Sequence, residues 1–137
     1  MSHVLVIDDN PKVRSSMKAM LESFGFDVSV AGDGDEGLQH FRQEPFDLVI
    51  SDIIMPRKDG FETVRELRQI TDDVPIIVMS GGSRIAGDEI ARQATRDALE
   101  LAEVLGATRT ISKPFSQDDL LKVIRECLVE KATQLLG

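Results

Sequence analysis

The chain changes its hydrophobic period again and again. Short apolar and β-branched runs, Val4-Leu5-Val6-Ile7, Leu48-Val49-Ile50-Ser51, Ile76-Ile77-Val78-Met79 and Thr110-Ile111-Ser112, alternate with longer stretches whose apolar residues recur every three or four positions. A run that is apolar at successive positions is a strand buried on both faces, and strands separated by helical stretches are joined by crossovers, so the sheet is parallel. Five strands are expected, at about 3–8, 27–31, 47–51, 75–79 and 109–112.

Between them, Val13, Met17, Met20, Leu21 and Phe24 form one helical stripe, begun by Asn10 as N-cap with Pro11 at the first helical position and closed by Gly25. Asp59 with Glu62, and Ser116 with Asp119, are capping-box starts for two further helices. Ile90, Ala94, Ala98, Leu101 and Leu105 predict a long fourth helix after a Gly81-Gly82 loop, ending before Gly106, with Asp88–Arg92 and Arg96–Glu100 placed to pair across one turn. Right-handed crossovers and the opening Asp8-Asp9 pair favour the order 2-1-3-4-5, a doubly wound α/β sheet of the flavodoxin-like (βα)5 kind whose cleft lies between the first and third strands.

Polar residues end the strand-like runs: Asp8 and Asp9 after the first, Asp52 after the third, Ser80 after the fourth and Lys113 after the fifth. Open parallel sheets build their sites at those carboxyl ends. Three carboxylates brought together repel one another unless a cation joins them, and an all-oxygen donor set suits a hard divalent metal. A phosphoryl-accepting aspartate beside Mg²⁺ meets that demand.

With 137 residues the chain has the size of one domain, and residues 1–137 are expected to form it without a separate output domain. The net charge of -8 disfavours a nucleic-acid footprint. Cys127 is the sole cysteine, and neither an export leader nor an apolar run of membrane-spanning length appears, so a cytoplasmic protein is expected, with no nucleic-acid and no membrane partner.

Asp8-Asp9, Asp52 followed by Met55-Pro56 and Asp59-Gly60, Ser80, and Lys113-Pro114-Phe115 together resemble the receiver domain of two-component response regulators, over nearly the whole chain. The resemblance implies a phosphoacceptor switch that assists its own phosphorylation and dephosphorylation and is not an enzyme with a turned-over substrate. Asp52 would take the phosphoryl group from a histidine kinase or a histidine phosphotransfer protein, and the phosphorylated chain would bind a downstream protein target. Asp8, Asp9, Asp52 and the backbone carbonyl of Ile54 would hold Mg²⁺. The Ser80 hydroxyl would donate to the phosphoryl oxygens, Lys113 would pair with Asp52 or its phosphoryl group, and Pro114 would follow a cis bond.

Some positions depart from that family's pattern. Thr110 stands where receivers usually carry Tyr or Phe, and the segment from Ser80 to Lys113 is longer than usual. Ile54 and Gly82 occupy positions that tune attack by water in the family, and neither carries a polar side chain, which implies a long-lived phosphoryl state. Gly32-Asp33-Gly34-Asp35-Glu36-Gly37 matches the dinucleotide expression GxGxxG, but its three acidic residues would press against a pyrophosphate, so it reads as a turn. His3 and His40 are expected at the surface and Cys127 in packing. The rival reading, an aspartate-nucleophile phosphatase of the haloacid dehalogenase type, needs an Asp-x-Asp motif after the first strand and a cap domain; this chain has adjacent Asp8-Asp9 and no room for a cap.

Overall fold

The computed structural model describes residues 2–53, 60–81 and 89–136. Five parallel strands, β1 (His3–Ile7), β2 (Asp27–Ala31), β3 (Leu48–Asp52), β4 (Ile76–Gly81) and β5 (Arg109–Lys113), lie in the expected order β2-β1-β3-β4-β5. Helices α1 (Pro11–Ser23), α2 (Gly34–Gln43), α3 (Gly60–Ile70), α4 (Glu89–Leu105) and α5 (Gln117–Leu136) alternate with them. Successive strand residues point to opposite faces, so the doubly apolar runs make two cores. Leu5, Ile7, Val49, Ile76 and Val78 pack with Leu38 of α2, Val64 and Leu67 of α3 and Ala102 of α4. Val4, Val6, Leu48, Ile50, Ile77 and Met79 pack on the other face with Met17 and Leu21 of α1 and Leu120, Ile124 and Cys127 of α5.

The caps fall where the sequence places them for α1 and α5. The Asn10 side chain accepts from the backbone N–H of Lys12 and Val13, at 2.9 and 3.3 Å, with Pro11 opening α1. Ser116 and Asp119 bond reciprocally at 3.0 and 3.3 Å ahead of α5. Asp59, the partner expected for Glu62, and Gly82 of the glycine loop lie outside the described residues, as does Asp88.

Two expectations need correction. In α4 the inward face is Ala98, Ala102 and Leu105, with Leu99 beside them, while Ala94 is exposed and Leu101 is 46% exposed. Around a helix, position 102 lies about 40° from position 98 and position 101 about 60° to the other side, so the small Ala102 faces the sheet and Leu101 is turned to the flank. On the same helix Arg96 donates to Gln93 at 2.7 Å, backwards along the axis from Glu100. His3 is not a plain surface residue: its Nε2 lies 2.9 Å from Ser29 Oγ, its Nδ1 lies 3.1 Å from the Pro45 carbonyl oxygen, and its ring sits 4.2 Å from that of Phe46.

At the edge of the sheet away from the carboxyl ends, Arg68 of α3 braces three segments. Its Nε donates to the Gly106 carbonyl at 2.8 Å, Nη1 to the Val74 carbonyl at 2.7 Å and Nη2 to Thr108 Oγ1 at 3.2 Å. Half-burial works against the charge, and Asp72 and Asp73 offset that cost. Arg68→Ala strands these acceptors and should lower the urea-unfolding free energy by about 2 kcal/mol, with little recovery in Arg68→Lys because an ammonium lacks the planar fork. An unchanged unfolding midpoint contradicts the brace.

Candidate functional site

All five strands run the same way, so their carboxyl ends share one edge of the sheet. Asp8 directly follows β1 and is fully buried; Asp52 ends β3 and is 8% exposed; Ser80 in β4 is 4% exposed; Lys113 ends β5. One carboxylate oxygen from each of Asp8, Asp9 and Asp52 lies within 4.8 Å of the other two, with Asp9 on the solvent side. Lys113 Nζ bridges Asp8 Oδ2 and Asp52 Oδ2 at 3.4 Å each. The Lys113–Pro114 peptide is cis, as the resemblance implied. Ser80 lies at the same edge, paired in register with Ser112 of β5. Ile54, the remaining expected metal ligand, lies outside the described residues, as do Met55 and Pro56.

Backbone contacts set these side chains in place. The Asp8 N–H donates to the Ala31 carbonyl at 3.1 Å, and the Asn10 N–H donates to Asp8 Oδ1 at 2.9 Å, so the residue that caps α1 also orients the buried carboxylate. The Gly60 N–H donates to the Ile53 carbonyl at 2.6 Å. A Cβ at Gly60 would stand 2.5 Å from the Asp52 carbonyl oxygen, so only glycine lets α3 begin against the backbone of Asp52. Arg14 is a site neighbour that sequence reasoning missed: its Nη1 donates to the Asp8 carbonyl at 2.9 Å. The only signal for it is position, the first full turn of the helix that follows Asp8-Asp9.

The GxGxxG segment is the start of α2, as read. Asp33 caps the helix by accepting from the Glu36 N–H at 2.8 Å, and Glu36 accepts from the Gly32 N–H at 2.9 Å, which turns both carboxylates onto local backbone. Thr110, in place of the family's aromatic, donates from Oγ1 to Glu103 of α4 at 3.3 Å. Cys127 is a buried packing residue, its thiol pushed up to about 11 by burial.

Burial pushes the Asp52 carboxyl above its ordinary value; Lys113 opposes that rise and Asp8 adds to it. The donor set suits a hard divalent cation: three carboxylates, oxygen only, one of them open to water. Without metal, the folded chain holds the Asp52 proton more tightly than the unfolded chain. Protonation therefore favours the fold, and this contribution is present below the unfolded value of 3.8 and lost as pH rises through the folded value. In chelator, the unfolding free energy of Asp52→Asn relative to the wild type should shift in the variant's favour as pH rises above the unfolded value of 3.8. A difference that stays flat with pH contradicts the raised carboxyl.

Residues 4–125 match the family model described as the response regulator receiver domain. The chain is 39% identical to the probable transcriptional regulator ycf27 of Porphyridium aerugineum over 95% of this chain and 50% of that protein. It is 35% identical to the response regulator MprA of Mycobacterium leprae over 91% of this chain and 50% of that one. Among solved structures, a response regulator receiver domain protein from Clostridium thermocellum superposes with a TM-score of 0.83 at 31% identity, covering all of both chains. The chain spans about half the length of the curated relatives it matches, so these matches do not carry the expectation of a receiver without an output domain. A parallel sheet in the order 2-1-3-4-5, an acidic cluster at its carboxyl edge and the match over residues 4–125 place this chain in the response regulator receiver domain family.

Proposed function

We propose that Asp52 is the phosphoacceptor of a two-component signalling switch, charged by a histidine kinase or a histidine phosphotransfer protein. The observation that carries this is the meeting of Asp8, Asp9 and Asp52 within 4.8 Å, with Lys113 bridging two of them. An Asp52 carboxylate oxygen forms the new P–O bond as the donor's P–N bond breaks, and the imidazole leaves with its electron pair. Asp8, Asp9, Asp52 and the Ile54 carbonyl would hold Mg²⁺, which when bound neutralises charge on the phosphoryl oxygens. Lys113, already beside Asp52, adds a second positive charge, and the buried Ser80 hydroxyl is a donor for a phosphoryl oxygen.

The output in this reading is a protein partner bound by the phosphorylated surface, with residues 1–137 acting as a single receiver domain. The acidic balance of -8 supports a protein rather than a nucleic-acid target for this domain. Among the described residues no helix is long and apolar enough to cross a membrane, and a switch fed by kinases that draw on ATP belongs in the cytoplasm.

Incubation with acetyl phosphate and Mg²⁺ should add one phosphoryl group to the wild-type chain by intact mass and none to Asp52→Asn, which keeps the shape and loses the nucleophilic oxygen. An equal mass gain in the variant removes Asp52 from this role.

A further inference from the structure

Arg14 is unused in the reading above, yet it is built into the acidic edge from outside. Its guanidinium meets the carbonyl of Asp8 at 2.9 Å, the peptide that leads directly into Asp9. Asp9 is the exposed member of the cluster, whereas Asp8 is buried, bonded to Ala31 through its N–H and oriented by the Asn10 N–H, so the direction of the Asp9 side chain follows from the orientation of that peptide. The same nitrogen lies against the β2–α2 turn, where a Cβ on Gly32 would come within 2.9 Å of Arg14 Nη1. That turn is itself held by the Gly32 N–H bond to Glu36 at 2.9 Å. Glu36, Gly32, Arg14 and the Asp8 carbonyl thus form one continuous brace from α2 to the acidic cluster.

The geometry points to Arg14 as a positioning residue that orients the Asp8–Asp9 peptide and so holds the Asp9 carboxylate ready for the divalent cation. This rests on the metal-binding reading of Asp8, Asp9 and Asp52. The charge and the geometry of Arg14 predict effects of opposite sign. A cation beside the cluster repels a dication, so if charge were its only action, removing it would tighten Mg²⁺ binding. Removing a group that orients a ligand weakens metal binding, as loss of outer-shell partners does elsewhere.

The test is calorimetric titration of the full chain with Mg²⁺ at fixed ionic strength, for the wild type, Arg14→Ala, Arg14→Lys and Gly32→Ala, with thermal unfolding in chelator to establish that each variant is folded. Arg14→Ala should weaken Mg²⁺ binding by about ten-fold. Arg14→Lys, which keeps one donor for the Asp8 carbonyl, should recover part of that loss. Gly32→Ala keeps the arginine and its charge but crowds the guanidinium away from the carbonyl, and should weaken binding in the same direction. Should Arg14→Ala not fold, Gly32→Ala decides by the same sign. Unchanged or tighter binding in either folded variant overturns the positioning role. Absence of Mg²⁺ binding by the wild type overturns the underlying metal site instead, so the two failures are distinct.

Discussion

Repulsion among carboxylates crowded onto one sheet edge is the interaction around which the rest of the molecule is arranged. Two unit charges 4.8 Å apart at an effective dielectric near that of a protein surface oppose each other by about 3 kcal/mol. Lys113, 3.4 Å from both Asp8 and Asp52, offsets the repulsion between those two, while among the described residues no such bridge reaches Asp9. Such a cluster persists only on a rigid support. The support is visible in Val4 to Ile7 and Leu48 to Ile50, all fully buried, and in the tight seating of α3 through Gly60.

The same tension suits the site to the proposed phosphoryl switch. The edge favours added positive charge, and a phosphoryl group on Asp52 would convert the carboxylate into a mixed anhydride while bringing new acceptor oxygens to Lys113 and Ser80. One link from β5 to α4 runs through Thr110. Its bond to Glu103 joins β5 to α4, but an exposed hydrogen bond of about 1 kcal/mol shifts a population by only about five-fold. The packing of Ala98, Ala102 and Leu105 against the core is the firmer attachment of α4.

The parts legible in the sequence were those set by period and chain direction. Asp8, Asp52 and Lys113 could be brought together because each ends a run whose strand character is local and whose crossovers have one hand. Capping by Asn10 and by Ser116 with Asp119 was readable for the same reason: donor and acceptor lie within one turn. Arg14, Arg68 and His3 were not, because their partners come from elsewhere in the fold or from the backbone, which leaves no pattern in side-chain type. The inward face of α4 was misjudged by one position because a stripe of spacing three and four fits two neighbouring phases, and only the sheet selects Ala102 over Leu101.

The identity of the atom that receives the phosphoryl group is the central question for this site. Reduction of the acetyl-phosphate-treated chain with borohydride converts an acyl phosphate of aspartate into homoserine, and peptide sequencing by mass spectrometry then locates it. Homoserine is expected at position 52, with intact aspartate at positions 8 and 9. Homoserine at position 8 or 9, or phosphate retained on Ser80, His3 or His40, would contradict that expectation.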